Sequence, residues 1–167
     1  DLLATAGKAI QQGDYAEALP AAKEALALNP DNVNAKYMLI DCYIETGSID
    51  TAKALLEEIK LVDQDSRYKS LAGKIELAEQ AADTPEIRQL QAAVEANPDD
   101  LQLKVDLAVQ LQQANKAQDA LELLYSVLKK ELGFGDARKL MMDMVNALAD
   151  GDPLKSEYRR KVYSLLY

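Results

Sequence analysis

The stretch GDYAEALPAAKEALALNPDN, residues 13–32, carries every mark of one helix and of the turn that leads into it. Gly13 permits a turn with positive φ, and Asp14 stands where a helix cap is needed. Ala18 is small enough to let two helices approach closely. Leu19, Ala22 and Leu26 recur at helical spacing and form an apolar stripe. Asn29-Pro30 ends the helix, because the residue before a proline avoids helical geometry. Pro20 is discordant. It lies past the first turn, where it removes a backbone hydrogen bond and predicts a bend.

The same marks return at a fixed interval. Gly47 follows Gly13 by 34 residues, and Ala52 follows Ala18 by 34. Ala120 follows Ala52 by 68 and Pro98 follows Pro30 by 68, which is twice the same step. A Gly, an Ala and a closing Pro at this period resemble tetratricopeptide repeats (TPR), helix–turn–helix units of ~34 residues. One such unit cannot bury its apolar face alone. It stacks on its neighbours and builds a surface that binds other proteins. The resemblance implies an all-α fold: a TPR-like right-handed superhelix of antiparallel helix pairs, about ten helices in all. We read residues 1–167 as a single elongated domain with one continuous core, in units of about 1–32, 33–66, 67–100, 101–134 and 135–167.

The later units keep the period with varying fidelity. In the second, Leu39, Ile40, Tyr43 and Ile44 form a stripe, Gly47-Ser48 the turn, Asp50 the start of the partner helix, and Gln64 replaces the closing proline. The third lacks both the Gly and the small Ala. Tyr68, Leu71, Ile75, Ala78 and Ala82 still give helical spacing, and Asp83-Thr84-Pro85-Glu86 combines a cap, an early proline and an acid. In the fourth, Asn115 takes the turn position between Leu103–Leu111 and Ala120–Leu128. Gly133 and Gly135 open a fifth unit, which ends at Ala149-Asp150-Gly151-Asp152-Pro153, with Asp152 as cap and Pro153 starting a last helix.

Composition narrows the function classes. Apolar residues make up 49% and charged residues 28%, an ordinary globular balance. No stretch approaches the ~18 uninterrupted apolar residues of a membrane span. The net charge of −9 argues against nucleic acid and anionic membranes as partners. There is no histidine, which removes the commonest general base and metal imidazole. No EF-hand, P-loop or glycine fingerprint occurs. The expectation is no catalysis, no cofactor and no metal. Cys42, in mid-helix beside Leu39 and Tyr43, reads as a buried structural thiol compatible with a reducing cytoplasm. Met141 and Met144 read as core, and Met142 as the exposed member of that group. The chain starts at Asp1 with neither Met nor a signal-like segment, so it reads as a fragment with an upstream domain absent from it.

The terminal segment PLKSEYRRKVYSLLY departs from the rule that solenoid ends are polar. At 100° per residue, Leu154, Tyr158, Val162, Leu165 and Leu166 share one side, while Tyr163 and Tyr167 lie on the other with Arg159 and Arg160. From Asp152 onward the net charge is +2, against −11 for the remainder. Tyr and Arg are enriched at binding hot spots, so this end reads as a docking element.

Here a narrower resemblance enters. GDPL followed by YRRKVYSLLY resembles the C-terminus of the bacterial chaperedoxins, which join an N-terminal thioredoxin-like domain to a C-terminal TPR domain. That resemblance implies a co-chaperone that holds unfolding clients and docks on the bacterial chaperonin through its last helix. Arg159, Arg160, Tyr163, Leu166 and Tyr167 then become candidate partner contacts, the partners being the chaperonin and unfolded client proteins in the cytoplasm. A carboxylate clamp like that of TPR co-chaperones that bind acidic tails is not expected, since Leu3, Gly7, Met38, Gln102 and Asp106 occupy its positions. Two alternatives stay open: a generic TPR scaffold for complex assembly, and a regulatory domain of a larger enzyme.

Overall fold

The computed structural model describes residues 1–167 and contains ten α-helices, one short 3-10 turn and no strand. In chain order they are α1 (Leu2–Gln11), α2 (Tyr15–Leu28), α3 (Val33–Glu45), α4 (Ile49–Glu57), the 3-10 turn (Leu61–Asp63), α5 (Ser66–Ala82), α6 (Pro85–Ala96), α7 (Leu101–Gln113), α8 (Ala117–Lys130), α9 (Ala137–Ala147) and α10 (Pro153–Leu166). Each unit read from the sequence holds two helices.

Helix ends follow the capping chemistry. Asp14, Asn32, Thr84 and Asp100 each accept a hydrogen bond from a backbone N–H of the first turn, which satisfies one of the donors a helix start leaves unpaired. Thr84 caps α6, with Pro85 in the first turn. α4 begins at Ile49, with Asp50 in its first turn. Asn29 and Asn97, each before a proline, leave the helical region and end α2 and α6. The turns within helix pairs are made at Gly13 (φ 74°), Gly47 (φ 90°), Asn115 (φ 62°) and Gly151 (φ 88°). Asn is the residue other than glycine that visits this region most readily, which is why it serves at 115. α2 runs through Pro20 without interruption.

Contacts sort the chain into two compact units. The first comprises Asp1–Glu79 with Ala149–Asp152, the second Gln80–Leu148 with Pro153–Tyr167. The buried side chains likewise form two cores, where the repeat spacing had suggested one continuous core. The division falls in the third repeat, which lost its Gly and small Ala. α6 buries Ile87 alone, and Leu77 of α5 lies in solvent.

In the first unit α1 packs on α2, α2 on α3 and α3 on α4. Ala18 and Ala52 are fully buried, as their helix-crossing role requires. The segment Ala149–Asp152 belongs to this unit. Ala149 joins the core, Lys23 Nζ donates to the Gly151 carbonyl at 2.6 Å, and the Ser48 hydroxyl donates to the Asp152 carboxylate, both side chains buried. Asp152, expected only as a helix cap, thus also serves packing. In the second unit α6 packs on α7, α7 on α8, α8 on α9, and α10 on both α8 and α9. Its core includes Ala120, Leu121, Leu124, Met141 and Val145. Met142 and Met144 are both half-buried against it, so Met142 is not the exposed one of the group.

Candidate partner-binding sites

α10 has a packed face and an open one. Leu154, Tyr158 and Val162 are buried in the second core, and Leu165 and Leu166 pack half-buried against it. The Tyr158 hydroxyl donates to the Glu122 carboxylate of α8. Burial, and then that carboxylate, push the Tyr158 phenol well above its ordinary value. Lys161 lies over the rings of Tyr158 (4.6 Å) and Tyr125 (5.3 Å), and ion-pairs with Glu157 at 3.4 Å and Glu122 at 3.8 Å. Lys129 covers the Tyr125 ring at 4.7 Å. This cation–aromatic assembly fixes α10 on α8. The sequence did not announce it, because its members come from positions 122–129 and 157–161.

The open face carries the tyrosines. Tyr163 is 48% exposed and Tyr167 99%, with ring centroids 6.4 Å apart and planes tilted by 40°. Arg160 is exposed beside them and Arg159 half-buried. Of the five candidate residues, Arg160, Tyr163 and Tyr167 therefore share the solvent side. Arg159 offers only part of its side chain, and Leu166 is committed in part to the core.

A second feature is a groove of about 650 Å³ over α1, α3 and α5 of the first unit, lined by Gly7, Ile10, Met38, Asp41, Arg67 and Leu71 among others. Met38 and Gly7 face one another: a Cβ on Gly7 would lie 3.6 Å from Met38 Cε. The cations near this groove are already engaged. Arg67 stacks 4.5 Å over the Tyr37 ring and pairs with Asp65 at 2.8 Å, whose carboxyl that hydrogen bond holds below its ordinary range. Lys74 pairs with Asp41 and, at 2.8 Å, with Glu45. Burial alone would lower the Lys74 ammonium; the two carboxylates outweigh it and bring it to about 12. Gln102 donates to Asp106 at 2.9 Å, so the positions of a carboxylate clamp present no cation. Cys42 is fully buried, and burial, followed by the Asp41 charge, pushes its thiol up to about 12. No helix is long and apolar enough to cross a membrane.

Comparison with known proteins agrees with this geometry. Two family matches, both described as tetratricopeptide repeat, cover residues 9–75 and 80–167. An uncharacterized protein of Haemophilus influenzae is 41% identical over 162 residues, spanning 95% of this chain and 74% of that protein. The crystal structure of a domain of protein VP0806, of unknown function, from Vibrio parahaemolyticus RIMD 2210633 superposes with a TM-score of 0.83 at 40% identity, covering 99% of this chain and 98% of that one. With its 34-residue period, its turns at Gly13, Gly47 and Asn115 and these matches along nearly its whole length, the chain belongs to the tetratricopeptide repeat family.

Proposed function

We propose that this protein-interaction module is the TPR part of a chaperedoxin-like co-chaperone, which holds unfolding clients and docks on the bacterial chaperonin through α10. The observation that carries the reading is the open face of α10. Two exposed tyrosines and an exposed arginine project from a helix whose other face is locked into the core. Arg160 is exposed and Arg159 half-buried, so the first can meet an acidic partner in full and the second in part. The terminal motif from Gly151 to Tyr167, similar to the chaperedoxin C-terminus, points to the chaperonin as that partner. The cytoplasm is the compartment this implies, and a thioredoxin-like domain preceding Asp1 belongs to the same proposal. Turnover is not part of it: the work is binding.

The test is calorimetric titration of the chain into purified chaperonin. Arg160→Ala with Tyr163→Ala removes two open-face side chains and spares Leu154, Tyr158 and Val162. Each can contribute about 2 kcal/mol at a hot spot, so the double variant should bind at least about tenfold more weakly. Raising the salt should weaken the wild type as the arginine share is screened. Wild-type affinity in the double variant, with its melting temperature intact, would sink the proposal and leave α10 as a plain cap.

A further inference from the structure

The first unit carries a second apolar pocket, whose lining shares no residue with the groove over α1, α3 and α5. It has a volume of about 270 Å³ and is walled by Leu26, Leu39, Ile40, Leu55 and Ile59, with Pro30, Lys36 and Glu58 also lining it. It draws on the turn that follows α2 and the turn that follows α4. The last residue of α2 and the turn after α4 hold the most exposed large aliphatic side chains of the chain: Leu28 (75%), Leu61 (82%) and Val62 (87%). Leu28 stands two residues after Leu26, and Leu61 two after Ile59. Leu28 and Val62 are 34 residues apart, so they hold the same register position in consecutive repeats. The repeat itself does not demand apolar residues there. In the fourth unit the positions corresponding to Leu61 and Val62 are Lys129 and Lys130, which are exposed. Large apolar side chains left in water within three residues of an apolar pocket's walls mark this edge as an interaction surface.

Pocket size and charge define the occupant. Small-molecule and cofactor sites run from ~300 to 1,000 Å³, and this pocket is smaller. It suits one bulky apolar side chain, the anchor arrangement of interface hot spots. In these turns and the helix ends beside them stand Asp31, Glu57, Glu58 and Asp63 against Lys36 and Lys60, so the surroundings are acidic. We infer that this turn edge binds a polypeptide segment with one bulky apolar anchor flanked by lysine or arginine, the anchor entering the pocket and the exposed aliphatics covering its flanks. This deepens the client-binding part of the function proposed above, by naming the segment a client would present, and is independent of its chaperonin part.

The probe is a fluorescein-labelled synthetic peptide with a central phenylalanine between lysines, followed by anisotropy as the full chain is added. Two twins replace the lysines by glutamates or the phenylalanine by serine. The first peptide should bind, and each twin should bind at least about tenfold more weakly. Leu61→Ser with Val62→Ser changes only exposed side chains and should lose about tenfold in affinity at an unchanged melting temperature. Glu57→Lys with Glu58→Lys should reverse the preference toward the glutamate-flanked twin. Arg160→Ala with Tyr163→Ala should bind the peptide as wild type does. The inference is overturned by absence of peptide binding, by unaltered binding in the Leu61/Val62 variant, or by a charge swap that leaves the preference in place. It is equally overturned if sedimentation shows wild-type self-association that the Leu61/Val62 variant abolishes, since the occupant is then a second copy. Suppression of aggregation of a heat-unfolded protein separates the two readings. Full suppression by the Leu61/Val62 variant overturns this site and keeps client holding. Peptide binding without suppression keeps this site and removes client holding.

Discussion

Replacing Gly151 by alanine tests the seat of the Ala149–Asp152 segment, and Gly13→Ala supplies its control. Both glycines have positive φ, 88° and 74°. An L-residue held in the left-handed region costs about 1–2 kcal/mol, so the backbone penalty is shared. The stiffening of the unfolded chain by a Gly→Ala change is shared as well. The surroundings differ. A Cβ at 13 meets nothing within 4 Å, whereas at 151 it lies 3.1 Å from Leu19 Cδ2 and 3.6 Å from Pro20 Cα. Leu19 is fully buried and has little room to yield, and overpacking of that kind costs about 1–3 kcal/mol. Gly13→Ala should therefore destabilise by about 1 kcal/mol and Gly151→Ala by about 2–3 kcal/mol. For a chain of this size each kcal/mol shifts Tm by ~2–4 °C, so the two variants should melt several degrees apart. Urea and thermal unfolding followed by circular dichroism measure both. Equal melts would refute the seating of Gly151 against Leu19 and with it the packing role of this segment.

Ala120, fully buried in the core of the second unit, should not tolerate a ring. Ala120→Phe should lower stability by about 1–3 kcal/mol, and an unchanged thermal melt would remove Ala120 from a helix crossing. Cys42 should resist a thiol reagent in the folded protein at neutral pH and react at once in denaturant, since it is fully buried with its thiol held at about 12. Its folded value lies above the ordinary thiol value of about 9, so the unfolded chain ionises first and stability should fall as pH rises from about 9 towards 12. Tyr158, raised for the same reason of burial, adds to that loss. Cys42→Ser should flatten part of the alkaline slope, and an identical slope would exclude the thiol as a contributor. Insulin reduction dependent on Cys42 would overturn the reading of this chain as a non-catalytic module.

The period alone was enough for the fold. A 34-residue step is a local rule repeated, and each instance rests on short-range physics: an αL-tolerant residue at 13, 47 and 115, a side-chain cap at 14, 32, 84 and 100, a proline after 29 and 97. These forces act within a few residues, so one sequence suffices to read them. The packed face of α10 was readable on the same ground, because helical geometry puts Leu154, Tyr158 and Val162 on one side. Even the weak third repeat was visible in its missing Gly and Ala. That it marks the division between two cores was not, since burial depends on what the rest of the chain brings to each stripe.

What tertiary structure alone decided is where distant residues meet. Ser48 and Asp152 are 104 residues apart, Lys23 and Gly151 are 128 apart, and neither pairing follows any step of 34. The cage of Tyr125, Tyr158, Lys129 and Lys161 joins two helices whose side chains find one another only once α10 lies on α8. The exposure of Leu28, Leu61 and Val62 is of the same kind: in the sequence these are three ordinary aliphatics near helix ends, and only the fold leaves them in water. Periodicity tells which face of a helix is apolar. It does not tell whether a neighbour arrives to cover that face, because arrival depends on the summed geometry of every turn between them.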